Sequence, residues 1–508
     1  MLVIRRIPLL LISALLLYGP TYVVCCYPIQ PCKPLVCPVN PCDPPVIEVD
    51  PIVITTPRGR LDSNFGNQGA VLSFVPQGEP SRINGIARQG INQTERIVVA
   101  GESHRDFVTA RYRLNGELDK EFNNSGYIYG RGILANALVV YPLNSRVPDR
   151  IVAVGLIERF DETRIAVVAY ERNGTKVMTH AYRDEIIHNL TFGFTLADNS
   201  RATSVALAPE LPRTSGLDVI IGGYCDLFSS PIRKSVLVRL HENGEISHPN
   251  GEMKNWGYTA TQGLNKAFET VGITSHQING VTFNSVDLGG LGNVIAVGQL
   301  TTSSGIKKAF IARFKNNNGM LDTSFGEGTG HNRTGYTILN WDGNDESANA
   351  VVLSAIPNTH GIAIKVVGTT SVDVDGNSIG VQQIINIVNG EPLLFIRIPF
   401  PTGMQSTAFT SIVTQKSVAG LDTGRTYAAG TAINNDKKEN FLLTRFTQFG
   451  ILDTSFGTNG SIIATLDTGN LVGNGLMQQT NGELVIAGYN QNFSLSGDPI
   501  SFAMARIK

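Results

Sequence analysis

A short β-rich run that ends in glycine recurs seven times along this chain of 508 residues. The mean spacing of about 64 residues exceeds the length of helical solenoid units and accommodates four strands with their loops. The runs end at Gly101, Gly155, Gly222, Gly298, Gly368, Gly430 and Gly488. The repeat therefore predicts an all-β fold built from seven similar units.

Each run is followed by a second predicted strand, and five of these strands carry an arginine at one position. The arginines are Arg111, Arg239, Arg313, Arg445 and Arg506, whereas the other two strands have Ala169 and Ile385. A new unit starts just beyond each strand, and four units open with the phrase Leu-Asp-x-x-Phe. The phrase begins at Leu61, Leu118, Leu321 and Leu452.

These features together resemble the delta-60 repeat family of exported, mostly bacterial proteins. The resemblance rests on the phrase Gly-x-Leu-Asp-x-Ser-Phe-Gly, the run ending in Ala/Val-Gly and the strand ending in Ala-Arg-Tyr/Phe. It covers about residues 59 to 508 and is most specific in units one, five and seven. The resemblance implies a seven-bladed β-propeller with about four antiparallel strands per blade, in an envelope or extracellular setting. It supplies no catalytic residues.

The two ends of the repeat region are complementary. The first unit carries Asp62 with no arginine before it, and the last strand carries Arg506 with no aspartate after it. A buried guanidinium that loses its acid destabilises a fold by several kcal/mol, so the two residues should be kept or lost together. We therefore predict that the N-terminal segment completes the last blade and closes the ring, and that a buried Arg–carboxylate pair forms where consecutive units meet. Arg239, with only Glu245 nearby, is the exception, and shared degeneration of whole units is the alternative explanation.

The N-terminus is typical of an exported protein. Two arginines precede the apolar run Ile7 to Leu17, whose length suits a signal peptide better than a membrane span. An uncleaved anchor is the alternative; after cleavage no membrane span is expected. We predict a secreted or cell-envelope protein, in the periplasm or at the cell surface. Its predicted parts are a signal peptide over residues 1–24, a Cys/Pro-rich stalk or linker over 25–58 and the propeller over 59–508.

The cysteines are concentrated in the predicted stalk. Prolines between them favour a stiff, extended spacer, and in an oxidising compartment such cysteines favour disulfides within the stalk or to a partner chain. Their spacing lacks the close pairs of zinc sites. Cys225 follows a strand-like run and is predicted to be a small buried apolar residue. The stalk cysteines are Cys25, Cys26, Cys32, Cys37 and Cys42.

No catalytic, cofactor-binding or metal-binding residues are predicted. Asp373, Asp375 and Asn377 resemble part of a calcium loop, but a terminal Glu is missing and a hairpin turn explains them equally well. Residues that recur in every blade serve the architecture, because a catalytic group is needed only once. The net charge of -1, without a basic run, disfavours nucleic acid.

The expected function is therefore that of a binding or scaffolding module for an unknown protein or glycan ligand. Long loops usually carry the specificity of a repeat fold, so the ligand surface is expected in three inserts. These inserts span roughly residues 174–205, 244–280 and 326–347. One alternative is a propeller enzyme of the lyase or lactonase type, with a single cation in the central channel held by unrepeated side chains. Another is a surface-display protein cross-linked through its stalk.

Overall fold

The computed structural model describes residues 61–73, 80–130, 132, 134–159, 162–178, 197–210, 216–227, 232–247, 256–284, 292–356, 361–372, 377–465, 469–491 and 500–508. The predicted signal peptide, the predicted stalk with its cysteines, and Asp373 and Asp375 lie outside these residues. The described residues form seven antiparallel sheets of three or four strands, named blades 1 to 7 in chain order, and one two-stranded hairpin.

The first three blades are built as follows. Blade 1 contains β2 (Ser81–Gln89), β3 (Arg96–Ser103), β4 (Asp106–Tyr112) and β5 (Tyr127–Gly130); blade 2 contains β6 (Leu134–Val140), β7 (Ile151–Arg159) and β8 (Glu162–Tyr170); blade 3 contains β9 (Ala197–Pro209), β10 (Leu217–Leu227) and β11 (Arg233–Leu240). The helix α1 (Trp256–Thr270) follows blade 3.

The other four blades have four strands each. Blade 4 contains β12 (Ser275–Asn284), β13 (Asn293–Thr301), β14 (Lys307–Lys315) and β17 (Tyr336–Leu339); blade 5 contains β18 (Glu346–Ile356), β19 (Gly361–Ser371), β20 (Ser378–Asn386) and β21 (Pro392–Arg397); blade 6 contains β22 (Met404–Lys416), β23 (Asp422–Asn434), β24 (Glu439–Phe446) and β25 (Ser461–Ala464); blade 7 contains β26 (Asn470–Gln478), β27 (Leu484–Gln491), β28 (Ile500–Ile507) and β1 (Ala70–Ser73). A small hairpin of β15 (Gly328–Thr329) and β16 (Asn332–Arg333) precedes β17.

The first strand of each blade is the innermost, and together these strands surround an axis. Each contacts the first strands of both neighbouring blades, and β26 contacts β2, so the circle is complete. The remaining strands of each blade follow outward in sequence order. The protein is therefore a seven-bladed β-propeller, which confirms the predicted fold class.

The N-terminal segment closes the ring as predicted. Strand β1 pairs antiparallel with β28, with Ala70 opposite Ala505. The backbone N–H of Asp62 donates to the carbonyl of Arg506 at 2.9 Å, and the Arg506 side chain bonds the Asp62 carboxylate. Because β1 occupies the outer position of blade 7, the edge of β28 is covered.

Blade 3 differs from the predicted four-strand pattern. Its described residues form three strands, and α1 packs against β11 in the place of a fourth. The Thr261 hydroxyl accepts a hydrogen bond from the Leu237 N–H at 3.0 Å. The insert 244–280, expected to be a loop, thus contains a helix that protects a sheet edge. The signal was an apolar residue at every fourth position, namely Trp256, Ala260, Leu264 and Phe268.

The packing of α1 also buries His276. Its ring lies edge-on to Phe268 at 4.8 Å, and its Nδ1 accepts a hydrogen bond from the Ser235 N–H at 3.2 Å. Nδ1 is therefore unprotonated, and the buried Nε2 has no partner within the described residues. Burial, with a smaller contribution from the charge of Lys234, lowers the pKa of His276 to about 3.

This residue should make the fold acid-sensitive. In the unfolded chain His276 takes up a proton near pH 6.5, whereas in the folded chain it stays neutral. The contribution of His276 to the free energy of unfolding is therefore complete above pH 6.5 and falls by about 1.4 kcal/mol per pH unit toward pH 3. His276→Gln is expected to remove this component of the slope. Urea unfolding at a series of pH values checks this, with His331→Gln at an exposed position as control. Equal slopes for wild type and His276→Gln would contradict it.

Candidate functional site

Each innermost strand carries one bulged residue beside the axis. At each of these positions the pairing with the second strand shifts by one residue, which frees the side chain to point at the next blade. The bulged residues are Asn84, Asn136, Thr203, Asn279, Asn349, Thr410 and Asn474. They are called the axial ring below.

The axial ring links every blade to the next. The Asn84 amide donates to the carbonyl of Ala135 in blade 2 at 2.8 Å. The Asn474 amide donates to the carbonyl of Ile83 in blade 1 at 2.8 Å, which completes the circle. All seven such bonds measure 2.6 to 3.0 Å. Sequence reasoning missed this ring, although three Asn-Gly pairs at equivalent repeat positions were a usable signal.

A second set of repeated residues lies farther from the axis and ties the segment that leads into the outer strand of a blade to its third strand. The predicted pairs Arg111–Asp119, Arg313–Asp322 and Arg445–Asp453 each measure 2.8 Å, and Arg506 bonds Asp62. Each guanidinium carbon lies 4.6 to 4.9 Å from the ring centre of the phenylalanine in the same Leu-Asp-x-x-Phe phrase. The phrase therefore supplies both the acid and the aromatic platform for one arginine.

The expected exception, Arg239, is paired after all. Its Nε lies 2.6 Å from Asp218 Oδ2, and both side chains are fully buried. Glu245 is not the partner; the acid instead comes from the neighbouring strand, where Ile220 lies opposite Arg239. Trp256 of α1 takes the place of the missing phenylalanine, 5.7 Å from the guanidinium carbon.

Blades 2 and 5, which lack the arginine, use a basic residue from another strand position. In blades 1, 3, 4 and 7 the arginine also donates to a backbone carbonyl of the next blade. Arg150 does this for blade 2, reaching the carbonyl of Glu242 at 3.3 Å. Lys365 does it for blade 5, reaching Gly424 at 2.6 Å, and burial lowers its pKa to about 8. In these two blades, a basic residue from another position in the sequence thus makes the contact with the next blade that the missing arginine would make.

One group of three potential metal ligands occurs among the described residues: Glu210, Asp218 and His241. It belongs to the blade 3 junction. Asp218 bonds Arg239 through one oxygen and His241 through the other, at 2.6 and 3.0 Å. The hydrogen bond to Asp218 raises the pKa of His241. At the ring closure, Lys508 follows Arg506 by two residues and contacts the same aspartate, Asp62. His241 likewise follows Arg239 by two residues and contacts Asp218. His241 therefore occupies the position of a basic side chain with a structural role.

A cavity of about 330 Å³ opens where the innermost strands begin, at the mouth of the central channel. Four of its lining residues belong to the axial ring, and the other four come from blades 3 and 4. The full lining is Asn84, Asn136, Arg201, Thr203, Tyr224, Arg233, Gln277 and Asn474. Two of the three predicted inserts contribute: 174–205 provides Arg201 and Thr203, and 244–280 provides Gln277. The insert 326–347 provides no lining residue.

The mouth is polar and half-buried. The Arg233 guanidinium lies 4.1 Å from the ring centre of Tyr224, 2.9 Å from Asp226 and 2.7 Å from the amide oxygen of Gln277. Arg201 donates to the amide oxygen of Asn136 at 2.8 Å. The lining therefore offers amides, hydroxyls and guanidinium groups, with no carboxylate or imidazole among its described residues.

A larger cavity of about 630 Å³ lies at the opposite end of the channel. Its lining is more apolar and includes Val352, Ile412 and Val418, the last at the tip of the β22–β23 hairpin and 83% exposed. Its polar groups include Arg88 and Lys416. None of the three inserts lines this cavity, so the polar mouth is the better candidate site.

Cys225 is buried and unpaired, as predicted, and burial raises its pKa to about 12. Within the part of the chain that the structure describes, no helix has the length and apolar character needed to cross a membrane.

Comparison with known proteins supports the fold only. A family model described as "Domain of unknown function (DUF5122) beta-propeller" matches residues 96–122, a stretch that contains Arg111, Asp119 and Phe122. No curated protein matches the chain.

Solved structures that resemble this chain include the following three. Semaphorin 2a of Drosophila is 11% identical over 84% of this chain and 74% of its own, with a TM-score of 0.40. A GH43_1 enzyme from Xanthomonas citri is 9% identical over 62% of this chain and 88% of its own, with a TM-score of 0.30. An endo-arabinase from Bacteroides thetaiotaomicron VPI-5482 is 9% identical over 64% of this chain and 96% of its own, with a TM-score of 0.29. At these similarities no ligand or activity carries over to this chain.

Proposed function

We propose that the protein is an exported binding module of delta-60 repeats that holds its ligand at the polar mouth of the central channel. The observation that supports this proposal is that polar side chains from strands β9, β10, β11 and β12 converge there on the axial ring. The repeated Arg and Asp residues pair within the blades, and four of the arginines also bond the next blade, so these residues have structural roles. Export through the signal peptide over residues 1–24 and a disulfide partner at the stalk belong to the same proposal.

The chemistry of the mouth favours binding over the enzyme alternative. A catalytic cation needs carboxylate or imidazole ligands from different blades, and the described lining presents neither. Amides and hydroxyls both donate and accept hydrogen bonds, as sugar hydroxyls do. A volume of about 330 Å³ lies at the small end of ligand pockets. The ligand is therefore a small polar molecule or the polar end of a glycan.

An array of immobilised glycans tests this proposal. Wild type is expected to bind one class of glycan, and Tyr224→Ala and Gln277→Ala are expected to weaken that binding by about ten-fold or more, since each removes a lining group. Gln93→Ala is the matched control, because Gln93 is exposed in the β2–β3 turn and lies outside the mouth. Binding that survives both mouth substitutions would show that the ligand site lies elsewhere.

A further inference from the structure

We infer that the ligand carries an anionic group, a carboxylate or a phosphate, and that Arg201 binds it. This inference rests on the proposed function, because it names the class of ligand that the same mouth takes. Three features support it. Arg201 has a neutral hydrogen-bond partner, its guanidinium is fixed by that bond, and Tyr224 lies opposite it on the next strand.

Several basic side chains near the start of the innermost strands are paired with carboxylates. Arg201 differs from them, since its hydrogen-bond partner in the described part of the chain is the neutral amide oxygen of Asn136. The paired residues are Arg82 with Glu102 at 2.8 Å, Arg105 with Glu158 at 2.9 Å, Arg233 with Asp226 at 2.9 Å and Lys307 with Asp345 at 2.9 Å. The lining of the mouth therefore has an excess positive charge at Arg201.

Arg201 is held in place without being neutralised. One of its terminal nitrogens donates to Asn136 Oδ1, and the Asn136 amide in turn donates to the carbonyl of Ala202 at 2.6 Å as part of the axial ring. The other guanidinium nitrogens have no protein partner among the described residues. A fixed, half-buried guanidinium with open N–H groups matches the paired oxygens of a carboxylate or phosphate.

Tyr224 lies directly opposite Arg201 on the neighbouring strand, so the two side chains share one face. Its hydroxyl has no hydrogen-bond partner within the described structure, and its ring is held by the guanidinium of Arg233 at 4.1 Å. The charge of Arg233 is balanced by Asp226, so we assign Arg233 the role of holding the Tyr224 ring. Among the described residues, Arg201 and the Tyr224 hydroxyl are thus open hydrogen-bond donors on one face of the mouth, which suits an anion.

Site-resolved modification of arginine by phenylglyoxal tests the inference on the full-length protein. Galacturonate or inorganic phosphate, at about ten times its dissociation constant, is expected to slow the modification of Arg201 by about ten-fold, because the bound anion covers the guanidinium. Galactose, the neutral match of galacturonate, is expected to leave the rate unchanged. Arg105, exposed at the same end, is the internal control and should respond to none of them. Protection by galacturonate alone or by phosphate alone identifies the source of the anion.

Equal protection of Arg201 and Arg105, or no protection by either anion, would overturn the inference. A second readout uses the glycan array, where Arg201→Met should abolish a preference for acidic over neutral glycans and Arg105→Met should keep it. Wild-type binding to neutral glycans alone, lost in Tyr224→Ala, would refute the anionic ligand while leaving the binding site intact. Binding unaffected by Tyr224→Ala and Gln277→Ala would instead refute the proposed function.

Discussion

Replacing Asp218 by alanine is expected to lower the free energy of unfolding by about 3–5 kcal/mol, because it leaves an uncompensated charge in the interior. Asp218 and Arg239 are both fully buried, and their side chains are 2.6 Å apart. The same carboxylate also bonds His241. No water reaches the guanidinium to replace the lost acid, so the whole cost falls on the folded state.

Glu245→Ala is the control for this prediction. Glu245 follows Arg239 closely in sequence but is exposed, so its removal should change the free energy of unfolding by less than about 0.5 kcal/mol. Urea unfolding of the two variants beside wild type measures both effects. Similar stability of the Asp218→Ala and Glu245→Ala variants would contradict the assignment of the blade 3 junction.

A disulfide across the closing strands is expected to raise the free energy of unfolding by about 2–4 kcal/mol. The Arg506 N–H donates to the Gly69 carbonyl at 3.0 Å, so that pair is hydrogen-bonded and the next pair, Ala70 and Ala505, is not. Non-hydrogen-bonded pairs have Cα atoms about 4.5 Å apart, within the range that a disulfide spans. The Ala70→Cys/Ala505→Cys variant, made in a protein whose five stalk cysteines are replaced by serine so that they cannot compete, would tie the two ends of the propeller together.

Comparing oxidised and reduced forms of this variant in urea isolates the effect of the bond. The Ala70→Cys single variant controls for the substitution itself and should show no difference between the two forms. Cys225 does not compete, since it is buried and its pKa is raised to about 12. No gain in stability on oxidation, with the bond formed, would mean that the closing strand is not held in this register.

The sequence predicted the ring and its closure because repeats expose pairwise relations. Arg506 and Asp62 lacked neighbours in sequence, and only a closed ring gave each a partner. The same reasoning failed at Arg239, because Asp218 comes from the strand beside it rather than from the unit that follows. It also treated Ile385 as a simple loss, although Lys365 reaches the same neighbouring blade from the adjacent strand.

The candidate site was predicted only as a location. The inserts 174–205 and 244–280 do reach the mouth, but no spacing in the sequence links Arg201, Tyr224 and Gln277. These residues meet because β9 and β12 begin, and β10 ends, at the same end of the channel. The axial ring could have been predicted from the Asn-Gly pairs at equivalent repeat positions. The convergence of Arg201, Tyr224 and Gln277 on that ring depends on the three-dimensional fold.

Peptide mapping of the oxidised Ala70→Cys/Ala505→Cys protein tests the central claim, a seven-bladed ring closed by its N-terminal segment. If the ring is closed in this way, oxidation of the folded protein links the proteolytic peptide containing residue 70 to the peptide containing residue 505. No such link is expected when the protein is oxidised at low protein concentration in denaturant. Folded protein in which residue 70 stays unlinked, or is linked elsewhere, would contradict closure by β1 on β28 and with it the construction of the channel and its mouth.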